Sequence, residues 1–106
     1  MKLNPKEALK KLARHDSPFL DLFSHGSLQV EIYKPEKVDL QLPHARDEIY
    51  VVIEGTGEFL NGGERMTFSA GDFLFVPAGV EHRFENFTDD FSTWVFFYGP
   101  EGGEKP

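Results

Sequence analysis

The chain has 106 residues, 40 % of them hydrophobic, which is one domain of ordinary size with enough apolar side chains for a single core rich in its 11 phenylalanines. It has no cysteine, which excludes a disulfide framework, thiolate metal ligands and cysteine nucleophiles. Its net charge of −7 argues against nucleic acid as a main partner, because phosphate recognition needs a basic surface.

The charge is uneven. Lys2, Lys6, Lys10, Lys11 and Arg14 face only Glu7 near the start, so the rest of the chain carries the whole acidic excess. No early apolar run has the form of a signal peptide, and no stretch approaches the roughly 18 apolar residues of a membrane span. The expected setting is the cytoplasm, without a membrane partner.

Asn4-Pro5-Lys6-Glu7 reads as a helix start, with Asn4 as cap, Pro5 at the first position and Glu7 placed for a capping box. Ala8, Leu9, Leu12 and Ala13 form one apolar stripe. The helix should stop near His15-Asp16-Ser17-Pro18, since proline disfavours helical backbone before it. His15 and His25 read as surface residues. From Phe19 the pattern changes to short strands divided by turn residues: Phe19 to Phe23, Leu28 to Tyr33, Val38 to Leu42, Glu48 to Glu54, Glu58 to Leu60, Arg65 to Phe68, Asp72 to Val76, Val80 to Phe87 and Ser92 to Tyr98. The expected plan is a helical segment over 1–18, about nine strands over 19–98 forming an all-β sandwich or barrel, and a tail over 99–106.

Two stretches carry the chemistry. His44-Ala45-Arg46-Asp47-Glu48 sets an imidazole and a carboxylate four residues apart, ahead of the apolar run Ile49 to Ile53. Gly71 to Asn86 supplies a second imidazole, His82. Brought together, His44, Glu48 and His82 form a half-open site for a divalent ion, since imidazole and carboxylate suit first-row metals and three protein ligands leave room for water or substrate. If Glu48 and His82 face inward, strand parity sends Tyr50, Val52, Phe84 and Asn86 the same way. A buried Glu48 without a cation would be costly by several kcal/mol or shift its pKa. The alternative is a pairing of Glu48 with Arg46 or Arg83 and no metal.

These residues resemble the cupin family. Its second motif, G-x5-P-x-G-x2-H-x3-N, is complete here as Gly71, Pro77, Gly79, His82 and Asn86. With glycine near 7 % and proline near 5 %, such a match at a given start arises by chance about once in 10⁶ to 10⁷. The second half of the first motif is present as His44, Glu48 and Gly55. Its first half is not: Glu36 holds the first glycine position and Leu42 the first histidine position. The resemblance covers Val38 to Tyr98 and implies a single small jelly-roll β-barrel holding one divalent metal ion, iron, zinc, manganese or nickel. Gln41 and Asp39 lie just upstream of His44. On a regular strand Gln41 points away from the His44 face, and it becomes a fourth ligand only if Pro43 forces a bulge.

Three function classes share these residues: a metal-dependent oxygenase, isomerase or lyase acting on a small organic acid or sugar, a metal-containing sensing module without turnover, and a metal-free interaction barrel. In the first, Glu48 and Tyr50 are the candidate catalytic groups. The strand Glu48 to Glu54 is apolar on both faces, and one barrel wall has only one inside, so a homodimer is expected to cover the other.

Overall fold

The computed structural model describes Met1–Pro106. Helix α1 (Pro5–Leu12) precedes eight strands: β1 (Phe19–His25), β2 (Leu28–Tyr33), β3 (Asp47–Glu54), β4 (Gly57–Asn61), β5 (Glu64–Phe68), β6 (Phe73–Val76), β7 (His82–Glu85) and β8 (Ser92–Tyr98). A five-stranded sheet runs β1-β2-β8-β3-β6 and a three-stranded sheet runs β5-β4-β7. Every pairing is antiparallel. The fold is therefore all-β with one short helix, as expected.

The sheets pack through an aromatic core. Tyr50, Phe59, Phe68, Phe84 and Phe91 are buried together with Val52, Leu74, Val76 and Val95. The Phe84 ring sits 4.6 Å, centroid to centroid, from both Phe59 and Phe91, a spacing at which tilted aromatic pairs attract. The β3–β4 turn needs glycine for two reasons. Gly55 has φ of +95°, and a Cβ there would lie 2.6 Å from Phe91 Cα.

The expected strand Val38 to Leu42 does not form, so the strands number eight and not nine. Pro35 and Pro43 bracket the segment, Lys37 has positive φ of 62°, and Val38 N–H closes a tight turn on Glu36 O at 2.6 Å. The alternating apolar side chains of this loop point outward, with Leu40 83 % and Leu42 76 % exposed. The segment is held instead by Asp39, which is 3 % exposed. Its carboxylate accepts from Tyr33 Oη (2.6 Å), Gln41 N (3.1 Å), Gln41 Nε2 (2.8 Å) and the free-edge N–H of Phe84 in β7 (2.9 Å).

Asn4 Oδ1 accepts from Glu7 N at 3.2 Å, as the capping pattern predicts, and α1 ends at Leu12, short of the expected stop near His15. Ala8 and Leu12 bury against Ile32, with Leu20, Leu22, Ile53 and Trp94 around them. The helix thus covers the outer face of the large sheet over β1 and β2. Beyond it, Phe73 and Phe75 of β6 pair with Val51 and Ile49 of β3, and Phe96 of β8 pairs with Ile49, leaving an apolar patch with both β6 phenylalanines exposed. The last residues fold back: Glu104 N–H and Ala78 N–H both donate to the buried Asp47 carboxylate, at 2.8 and 2.9 Å.

Candidate metal centre

Three chain segments converge at one end of the space between the sheets. Glu48 lies near the start of β3, opposite Val76 on one side and Phe97 on the other, so its side chain points inward. His82 opens β7, opposite Asn61. His44 precedes β3 in the loop, where its carbonyl accepts from Gly79 N–H at 2.7 Å. That bond ties the His44 loop to the turn before β7, and Gly79 meets it with φ of +79°.

The geometry brings His44, Glu48 and His82 together, with one donor atom from each within 4.8 Å of the others. Glu48 Oε1 is 3.1 Å from His82 Nε2 and 3.8 Å from His44 Nε2. Glu48 is 1 % exposed, yet neither carboxylate oxygen accepts a hydrogen bond of good geometry. The arginine pairings do not occur: Arg83 bonds Glu85, and Arg46 bonds the Ser27 carbonyl. A buried carboxylate left open on both oxygens, with two imidazole nitrogens aimed at it, fits a divalent cation.

The second ring nitrogen of His82 supports the same fit. His82 Nδ1 lies 2.9 Å from Val80 O, which can only accept, so Nδ1 carries the proton and the neutral ring turns its Nε2 lone pair to the cluster. Burial lowers the pKa of His82, but the adjacent Glu48 carboxylate and the Val80 carbonyl outweigh it, and the pKa lies above the usual 6.5.

Gln41 enters the site against the parity of a regular strand, because the segment is an anchored loop. Its Nε2 donates to Asp39, and its Oε1 lies 3.4 Å from His44 Nε2 and accepts from Tyr50 Oη at 2.7 Å. Leu42, which occupies the motif's histidine position, faces solvent. Asp39 does not face the cluster but sits behind Gln41. Tyr50 is fully buried, with its hydroxyl 3.1 Å from His82 Nε2 and 2.7 Å from Gln41 Oε1. Burial, then the nearby Glu48 charge, push its pKa well above the usual 10.0, so it stays a phenol that donates.

In front of the cluster opens a cavity of about 810 Å³, whose walls include His44, Glu48, Gln41, Glu31, Gln29 and Lys34. Such a volume lies within the roughly 300–1,000 Å³ of small-molecule sites. Glu31 is a residue that sequence reasoning missed. On β2 it is Ile32 that lies under α1, and Gln29, Glu31 and Tyr33 line the inside. The signal was available: the apolar stripe of α1 needs an apolar sheet face to cover. Glu31 sits opposite Asp21 of β1, and Gln29 Nε2 donates to both carboxylates at 3.0 Å. Burial, then the hydrogen bond and charge of Asp21, push the Glu31 pKa up from 4.5 to about 8, while Asp21 is held low.

Comparison with known proteins agrees with this architecture. Residues 29–98 match the family Cupin_2, described as the cupin domain. The uncharacterized protein SCO3923 of Streptomyces coelicolor is 33 % identical over 91 residues, covering 84 % of this chain and 87 % of that one. The mannose-1-phosphate guanylyltransferase of Escherichia coli is 36 % identical over 47 residues, which is 44 % of this chain and 10 % of that protein. Among solved structures, a Cupin 2 conserved barrel domain protein from Salinispora arenicola superposes with a TM-score of 0.70 at 20 % identity, over 93 % of this chain and 89 % of that one. No helix is long and apolar enough to cross a membrane. By motif, by fold and by family match, the chain belongs to the cupins.

Proposed function

We propose that this cupin holds one divalent metal ion through His44, Glu48, His82 and the Gln41 carbonyl, and acts on a small hydroxylated substrate of the sugar class as a metal-dependent isomerase or lyase. The observation that carries the reading is the open Glu48 carboxylate at the floor of a cavity, facing two imidazoles. A bound ion would supply Lewis acidity to a substrate carbonyl or hydroxyl. Across the cavity Glu31, with a pKa of about 8, holds a proton that it can give or take near neutral pH. Gln29 and the Asp21–Glu31 pair offer donors and acceptors suited to hydroxyl groups. With Glu31 protonated, Asp16 and Glu36 balance Lys34 and Arg46, so the lining offers no excess of positive charge to select a carboxylate substrate. The partial similarity to mannose-1-phosphate guanylyltransferase supports the sugar class.

The test uses protein loaded with manganese(II). Neutral monosaccharides should lower the water-proton relaxivity by displacing metal-bound water, and small carboxylates should not. A bound sugar should then exchange carbon-bound hydrogen for deuterium in heavy water. Relaxivity that no sugar alters, or that only carboxylates alter, overturns the substrate class. Binding without exchange makes the protein a sensing module and overturns the enzymatic part.

We also infer a homodimer across the patch of Phe73, Phe75, Ile49, Val51 and Phe96. The patch carries no charge on a chain of net −7, and a second copy offers a matching face under two-fold symmetry. Light scattering should give twice the monomer mass, and Phe73→Glu/Phe75→Glu should give a monomer with unchanged metal affinity. A monomeric wild type overturns the dimer.

A further inference from the structure

Gln41 presents an asymmetric group to the cluster. An amide has a carbonyl end that can ligate a cation and an NH2 end that cannot, and the two are close in size. A glutamine turned the wrong way would aim two N–H donors at the cation position. Something must therefore set its sense.

We infer that Asp39 is a positioning residue for the metal centre: its buried carboxylate fixes the sense of the Gln41 amide, turning the carbonyl oxygen toward His44, Glu48 and His82. The inference rests on the metal reading above. All four partners of Asp39 are donors, namely Tyr33 Oη, Gln41 N, Gln41 Nε2 and Phe84 N. A carboxylate with only donors around it accepts NH2 and rejects a carbonyl oxygen, so Gln41 Nε2 has to lie on the Asp39 side. The opposite end is fixed by the same logic. Tyr50 Oη lies 2.7 Å from Gln41 Oε1 and, as a phenol, donates to it.

The bond from Phe84 N adds a second function. Phe84 lies two residues beyond His82, on the edge of β7 that no strand pairs. Asp39 thus couples the loop that carries Gln41 to the strand that carries His82, in the seam between the two sheets. Outer groups of this kind typically change metal affinity by about 10- to 100-fold when removed.

The experiment titrates cobalt(II) into wild type and four variants, reading affinity and the visible d–d spectrum, with circular dichroism to check the fold. Asp39→Asn should lower affinity by about 10- to 100-fold and shift the spectrum, because the replacement amide no longer dictates the sense of Gln41. Gln41→Leu should lower it similarly, and the double variant Asp39→Asn/Gln41→Leu should lose no more than either alone. The exchanged pair Asp39→Asn/Gln41→Glu should recover both affinity and spectrum, since NH2 now stands behind and a carboxylate oxygen faces the cluster. A purely structural Asp39 would show no such recovery.

Unchanged affinity and spectrum in folded Asp39→Asn overturns the inference, as do additive losses in the double variant. If Asp39→Asn alone does not fold, loss in Gln41→Leu with recovery in the exchanged pair supports it, and equal affinity in those two overturns it. A wild type that binds no cobalt is the separate failure of the metal reading, and this inference falls with it.

Discussion

Glu48 and His82 on one side, and Gln41 on the other, arrive at the same point by different physics. The first two stand on strands whose pleat and hydrogen-bond register decide direction, so a neighbour such as Tyr50 or Phe84 could change in detail and the side chains would still point inward. Gln41 stands on a loop with two prolines and exposed leucines, and its direction depends on one buried carboxylate, Asp39. Strand-borne donors are fixed by the backbone of the whole sheet. The loop-borne donor is fixed by a side chain, and a single substitution can release it.

The largest expected effect falls on the strand-borne side. His82→Ala should lower metal occupancy by more than about 100-fold, measured by metal analysis after dialysis, because it removes a ligand outright. Wild-type affinity should fall as pH decreases, starting above pH 6.5, since the raised pKa of His82 keeps a competing proton on the ring at higher pH than in a free imidazole. Full occupancy in His82→Ala would remove the strand from the site.

Next comes the helix, which neither side of the comparison uses. Deleting residues up to Arg14 removes Ala8, Leu9 and Leu12 and uncovers Ile32, Leu20 and Leu22 beneath them, and should lower stability by about 2–4 kcal/mol in urea unfolding. Metal affinity should not change. A folded truncation that loses its metal would show that the outer face of the sheet shapes the inner one.

Glu31→Gln should have a smaller effect with a defined sign. The folded-state pKa of Glu31, about 8, is above its ordinary value of 4.5. Its contribution to stability is therefore complete below pH 4.5 and is lost as pH rises to 8. Glu31→Gln should flatten this part of the profile and be the more stable form at pH 9, by roughly 1 kcal/mol at most given its partial exposure. Parallel urea midpoints for wild type and variant across that range would contradict the raised pKa of Glu31.

The smallest effect tests the loop directly. Leu42→His places the family's histidine where the motif expects one, but the side chain at this position faces solvent. Metal affinity should stay unchanged and stability should move by no more than about 0.5 kcal/mol. Tighter binding would mean that the loop can shift register and replace Gln41.

Much of this site could be read without coordinates. His44, Glu48 and His82 stood out because motif spacing and strand parity are local properties, and the structure brings these three together. The all-β fold, the capped helix and the turns followed from periodicity and from Asn, Pro and Gly positions. Three features did not follow. The segment Val38 to Leu42 has a strand's alternation but no strand to pair with. Gln29 and Glu31 look like an outer polar face until α1 is seen to claim Ile32. Tyr50 has the parity of a site residue, but the partners of its hydroxyl, Gln41 and His82, come from distant segments.

The division has a physical cause. Period, turn chemistry and ligand spacing are set by residues close together in the chain, and these determined the strands, the helix and the His44–Glu48–His82 set. Which face of β2 turns inward, and which way an amide in a loop points, depend on partners far away in sequence: α1 against Ile32, and Tyr33 and Phe84 around Asp39. Burial and hydrogen bonding between distant segments act only once the chain has folded, so the tertiary structure alone decided the cavity wall and the place of Gln41.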